Sequence, residues 1–129
     1  MRASLALILS FILVASCQSE PPYTDNGNPG QIKSVFFYDD NRNGVMDSGE
    51  TGVQAEAGIS QEISCPASNQ DAVTTTKTDV DGVALFKDLK PGKYCVGPYG
   101  NLRMTTKFYQ EVYVSSDMIT TVMFGIARE

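Results

Sequence analysis

The chain has 129 residues, a formal net charge of −5, three cysteines and no histidine. Without histidine it lacks the commonest general base and the usual zinc ligand. Without a basic stripe it is a poor partner for nucleic acid or for anionic membrane headgroups.

Arg2 precedes an apolar run from Leu5 to Ala15 that is broken only by Ser10. The run is shorter than the ~20 residues a membrane span needs, and residues 1–16 read as an export signal. It ends in Val14-Ala15-Ser16-Cys17, which resembles the bacterial lipoprotein box. The resemblance implies cleavage before Cys17 and acylation of its thiol and new amino group with palmitate-like chains. It implies an exported protein, lipid-anchored in the bacterial envelope and facing the cell surface or the periplasm. The membrane is then a partner through Cys17, since each buried methylene contributes about 0.8 kcal/mol and more than one chain makes a stable anchor. The alternative is an ordinary secretory signal that leaves Cys17 a free thiol. Residues 17–30 are rich in Pro, Gly, Asn and Ser with no apolar period, which predicts a flexible tether. One domain of ordinary core size follows over residues 31–129.

Gln31 to Tyr38 carries Ile32, Val35, Phe36 and Phe37 and predicts a first strand. The stretch after it, Asp39 to Glu50, reads D-D-N-R-N-G-V-M-D-S-G-E. With Asp39 at position 1, Asn41, Asn43, Gly44, Asp47 and Glu50 fall at positions 3, 5, 6, 9 and 12 of a calcium loop. Calcium takes oxygen ligands, and alternate positions let the side chains of Asp39, Asn41 and Asn43 converge. Gly44 permits the sharp bend. Val45 contributes only its backbone carbonyl, Asp47 binds directly or through water, and Glu50 closes the site with two oxygens. Asp40 and Arg42, between ligand positions, point outward. The alternative is a polar turn between two strands.

Further strands are predicted over Val53–Cys65, Ala72–Thr78, Val83–Phe86, Lys93–Val96, Thr105–Val114 and Met118–Ile126. Turns are expected at Asp79–Gly82, at Leu89–Gly92 and at Ser115–Asp117. Seven short strands with frequent turns predict an all-β antiparallel sandwich. Asp79 and Asp81 offer either a second, weaker calcium site or the caps of a β-turn. Cys65 and Cys95 form an even pair in an exported domain, which suggests a disulfide. Alternation argues the other way: Cys65 shares a face with Ile59 and Ile63, while Cys95 lies between the inward Tyr94 and Val96. Separate thiols therefore remain the alternative.

Two blocks carry a family resemblance. Asp39 to Val53 follows D-x-N-x-N-G-x-x-D-x-G-E-x-G-V. Later, Thr78, Asp79, Gly82, Phe86, Leu89, Pro91, Gly92, Tyr94 and Val96 follow a T-D-x-x-G…F-x-x-L-x-P-G-x-Y-x-V pattern, with Ala84 in a position usually aromatic. Together they resemble the SdrD B-like domains of serine–aspartate-repeat surface proteins. The resemblance implies a prealbumin-like or immunoglobulin-like sandwich, calcium after the first strand, and a rigid stalk or spacer role on a bacterial surface. Related adhesin domains crosslink a lysine to an asparagine of the final strand. Lys33 has the position, but Met118 to Ile126 holds no asparagine, so no such bond is expected. The sequence predicts a calcium-stabilised, non-enzymatic surface lipoprotein. A second reading is an interaction module that binds a surface protein or glycan through Pro98–Met104, where Tyr99 and Arg103 stand out. An accessory domain of a surface enzyme complex is a third.

Overall fold

A computed structural model describes residues 21–61, 65 and 74–129. The expected export signal, Cys17 and the expected loop from Pro66 to Asp71 lie outside the described residues. Seven strands are present: β1 Gly30–Tyr38, β2 Glu56–Ser60, β3 Thr74–Lys77, β4 Val83–Leu89, β5 Gly92–Pro98, β6 Gln110–Val114 and β7 Ile119–Ile126. They form one sheet in the order β4-β1-β7 and a second in the order β3-β2-β5-β6. This is the expected all-β sandwich. All pairs are antiparallel except β1 with β7, which run parallel in unbroken register from Gln31–Ile119 to Tyr38–Ile126.

The core lies where the alternating faces of the two sheets meet. Ile32 and Phe36 of β1, Ala57 and Ile59 of β2, Phe86 of β4, Tyr94 and Val96 of β5, and Val122 and Phe124 of β7 are buried in one cluster. Phe36 and Phe124, opposite each other in the parallel register, stack at 4.8 Å between centroids, a pairing that contributes about 1 kcal/mol beyond burial. Ala84 is buried in this cluster, so the departure from the family pattern sits in the core. Ser34 lies on the same β1 face, fully buried, and its hydroxyl has no hydrogen-bond partner among the described residues.

Several element boundaries differ from expectation for local reasons. β2 starts at Glu56 rather than Val53 because the chain first crosses between the sheets. Val53 N–H donates to Phe36 O, Ala55 N–H donates to the Thr78 hydroxyl at 2.8 Å, and that hydroxyl donates to Val53 O at 3.0 Å. β4 runs on to Leu89, which pairs with Gly30 past an irregularity in the register. β6 begins only at Gln110, since Thr105 and Thr106 turn their hydrogen bonds toward Asp39 and Gly125. The Asp79–Gly82 turn is capped by Asp79, whose Oδ1 accepts from the N–H groups of Asp81 and Val83, both at 2.9 Å.

Cys65 and Cys95 are joined, with their Cα atoms 5.4 Å apart. The conflict in alternation disappears because β2 ends at Ser60, so Cys65 is no longer bound to a strand face. Cys95 stands opposite Ser60, between the inward-facing Tyr94 and Val96. The bridge therefore lies on the side of the second sheet away from the core. It spans 30 residues, and closing a loop of that size stabilises by about 3–4 kcal/mol in the chain-entropy model.

The expected tether is shorter than residues 17–30. Within its described part, Thr24 N–H donates to Ser115 Oγ at 3.0 Å, Asn26 N–H donates to Ser116 Oγ at 3.0 Å, and Asp117 N–H donates to Pro29 O at 3.0 Å. Tyr23 stacks on Tyr113 at 6.4 Å. Residues 23–29 thus form a strap over the β6–β7 turn. Partners about ninety residues away in sequence satisfy its backbone, which composition alone does not reveal.

Candidate metal centre

The loop Asp39–Glu50 leaves the end of β1 and returns to it, with Tyr38 N–H donating to Thr51 O at 2.9 Å and Phe37 bridging to Gly52. Its backbone bends through left-handed conformations at Arg42 (φ 57°), Gly44 (φ 77°) and Gly49 (φ 91°). The side chains of Asp39, Asn41, Asn43 and Glu50 fold inward on the loop's own backbone.

Asp39 anchors the arrangement. It is only 1% exposed. Its Oδ1 accepts from Asn43 N–H at 3.0 Å and its Oδ2 from Gly44 N–H at 3.0 Å. The Thr105 hydroxyl also donates to Oδ2. Burial alone pushes the Asp39 carboxyl up. The bonds from Thr105 and from the N–H groups of Gly44, Asn43 and Arg42 outweigh it, so the net displacement is downward and the carboxylate form is favoured. Gly125 makes this approach possible, since a Cβ there would lie 2.3 Å from Thr105 Oγ1 and 2.7 Å from Asp39 Oδ2.

Asn41, Asn43 and Asp47 come together. The Nδ2 groups of Asn41 and Asn43 donate to the same Asp47 oxygen at 2.7 Å and 2.6 Å. Asn41 Oδ1 accepts from Asn43 N–H, and Asn43 Oδ1 accepts from Val45 N–H at 2.8 Å. Glu50 reaches across the loop, its two oxygens accepting from Asp40 N–H at 2.9 Å and Asp47 N–H at 2.8 Å. The Val45 side chain is 57% exposed. Asp40 points outward to Arg128, whose Nε lies 2.8 Å from its carboxylate and whose guanidinium covers the Tyr38 ring at 4.2 Å.

The donor set is one of hard oxygens: carboxylates on Asp39, Asp47 and Glu50, amides on Asn41 and Asn43, and the Val45 carbonyl. Asp39 Oδ2 and Asp47 Oδ2 each accept two of these bonds, whereas Asp39 Oδ1, the two Glu50 oxygens and the Asn41 and Asn43 Oδ1 atoms each accept one and keep a second lone pair. Among the described residues no three His, Cys, Asp or Glu side chains gather closely enough to hold a metal by themselves. A cation here depends on the amide and carbonyl oxygens, which suits calcium and does not suit zinc. Sequence spacing singles out Asp39, Asn41, Asn43, Asp47 and Glu50, and hydrogen bonds within the loop involve each of them. It misses Thr105 and Gly125, because nothing local to either one marks its approach to Asp39.

Fold and site together define a small two-sheet β module with an oxygen-lined loop at one pole. The sequence model of the SdrD B-like domain family matches residues 30–119, and the chain belongs to that family. Colossin-B of Dictyostelium discoideum is 39% identical over 71 residues, covering 50% of this chain and 2% of that protein. Colossin-A of the same organism is 33% identical over 78 residues, covering 60% of this chain and 1% of that protein. The chain thus spans a very small part of the curated relatives it matches. GBS52, the minor pilin in the gram-positive pathogen Streptococcus agalactiae, superimposes with a TM-score of 0.52 at 13% identity, over 79% of this chain and 46% of its own. At that identity the likeness carries the fold alone.

Proposed function

We propose that this protein is an exported, non-enzymatic surface module whose sandwich is stabilised by calcium and serves as a spacer. It is held to the membrane through lipid on Cys17. The family and the pilin-like fold support a structural surface role, and the chain has no histidine to act as a general base. The observation that carries the calcium reading is the inward convergence of Asp39, Asn41, Asn43, Asp47 and Glu50 in one loop fastened to Thr105. Asp39, Asn41, Asn43, Asp47, Glu50 and the Val45 carbonyl would hold the ion. Calcium would supply positive charge to crowded carboxylates and tie the exit of β1 to the rest of the loop. Because it binds only the folded state, it stabilises by mass action.

The test is a thermal melt of the processed protein in millimolar calcium and in excess chelator. A calcium-dependent rise in midpoint that Asp40→Ala keeps and Glu50→Ala loses supports the reading. Equal midpoints in calcium and chelator reduce the loop to a polar turn. The lipid anchor is tested separately by mass spectrometry of the N-terminal peptide, where an unmodified Cys17 thiol sinks it.

A second reading, a docking loop for a surface protein or glycan, is favoured by the exposure of Tyr99, at 56%, and of Arg103 in the same loop. Partner capture that survives replacement of both side chains removes it.

A further inference from the structure

We propose that Asn26 is a site of spontaneous deamidation, and that its conversion releases the strap of residues 23–29 from the β6–β7 turn. Asn26 and Gly27 are both exposed, and the space where a Gly27 side chain would stand is open, with nothing within 4 Å. Three contacts order the atoms that react. Gly27 N–H donates to Asp25 Oδ1 at 2.9 Å, which places a carboxylate base on the attacking nitrogen. Asn28 N–H donates to Asn26 Oδ1 at 3.0 Å and so stabilises charge developing on that oxygen. Asn26 Nδ2 donates to Asp117 Oδ2 at 2.9 Å, which orients the leaving nitrogen.

The Gly27 nitrogen attacks Asn26 Cγ. Its proton passes through Asp25 to the departing nitrogen, the N–Cγ bond forms, the Cγ–Nδ2 bond breaks and ammonia leaves. Water then opens the resulting succinimide at either carbonyl, giving aspartate or isoaspartate. No oxidant, reductant or cofactor enters the balance.

Either product replaces a donor facing Asp117 with a second carboxylate. Like charges at that distance repel, and the isoaspartate also lengthens the backbone by one atom. Asn28 still donates to Asp117 at 3.0 Å, but Asn26 no longer does. Detachment frees residues 23–29, a contour of roughly 25 Å at about 3.5 Å per residue. If the chain is anchored through Cys17, the domain then gains reach from the membrane. Only that consequence rests on the anchor reading, and the chemistry does not.

Asn43–Gly44 has the same frame: Gly44 N–H on Asp39, Val45 N–H on Asn43 Oδ1, and Asn43 Nδ2 on Asp47. There the base is buried and shared with the Thr105 hydroxyl and Asn43 N–H. Asn43 therefore reacts more slowly than Asn26.

The experiment is incubation of the full chain in detergent at neutral pH, with peptide mapping for the mass gain of about 1 Da and amide exchange read at Ser116 and Asp117. The expected result is aspartate and isoaspartate at Asn26 ahead of Asn43, with faster exchange at both amides in the converted fraction. Asp25→Ala slows the reaction at least about tenfold. Asn26→Gln, which does not close the five-membered ring, stays unmodified and protected, and Asn26→Asp exchanges quickly from the start. Asn43 reacting first, or an equal or faster rate in Asp25→Ala, overturns the site. Conversion without faster exchange overturns the release.

Discussion

The segments at the two ends of β1 are built from the same residues and behave differently. Before it, the strap carries Asp25, Asn26, Gly27 and Asn28. After it, the loop carries Asp39, Asn41, Asn43 and Gly44. In each, two asparagine amides converge on a single aspartate, Asp117 in one and Asp47 in the other. The difference lies in what stands behind them. The loop is rooted on a buried carboxylate that Thr105 and Gly125 enclose, whereas Asp117 is exposed and sits in a two-serine turn. Shared composition sets the local hydrogen bonds, and burial decides whether breaking them reaches the core.

The largest separation between the two should come from deleting the central aspartates. Asp39→Ala takes the acceptor from the part-buried Gly44 N–H and Thr105 hydroxyl and should cost about 3 kcal/mol, read by denaturant unfolding. Asp117→Ala should leave the midpoint nearly unchanged, and comparable losses would erase the contrast. Next in size is calcium removal. If the loop binds calcium as proposed, a concentration of about 100 Kd would contribute about 2.7 kcal/mol, which corresponds to a midpoint shift of roughly 10 °C or more in a domain of this size. The strap should not respond to calcium, as amide exchange at Ser116 will report. Thr105→Val, which keeps shape but removes a donor to the buried carboxylate, should cost about 1–3 kcal/mol.

Acid should act on the strap before it unfolds the domain. Hydrogen bonds from Asn26 and Asn28 hold the Asp117 carboxyl below its ordinary value of 3.8. Its folded pKa being the lower one, the contribution is fully present above the unfolded value and is lost as pH falls through the folded value. Exchange at Asp117 N–H, followed downward from pH 5, should therefore rise before the global transition. The smallest effect belongs to neither segment. Ser34→Ala, between them on β1, removes a buried hydroxyl without a partner and should be neutral or stabilising by up to about 1 kcal/mol. A clear loss there would point to a bond that the hydroxyl makes in solution.

The contrast also explains what could be read in advance. The Asp39–Glu50 loop is legible as a unit because its Asp, Asn and Gly residues repeat at fixed offsets along the chain. The strands of the core were legible as apolar alternation. Thr105 was read as the start of β6, since threonine suits a strand, and only its contact with Asp39 shows why the strand begins later. The strap read as a tether because Asp, Asn, Gly and Pro look alike whether they are solvated or docked on Ser115–Asp117. The even cysteine pair predicts the disulfide that joins Cys65 and Cys95; alternation argues against it only because it assumes that a strand continues, and β2 stops at Ser60.

The parallel pairing of β1 and β7 has a mechanical consequence. Both strands point the same way, so the start of β1 and the end of β7 lie at opposite poles of the molecule. A pull between the residues before Gly30 and those after Ile126 draws the two strands past each other along their length. Eight register positions, from Gln31–Ile119 to Tyr38–Ile126, resist that slide together and do not open one at a time. A domain threaded into a tensioned chain in this way yields by shear, at a force set by the whole ladder.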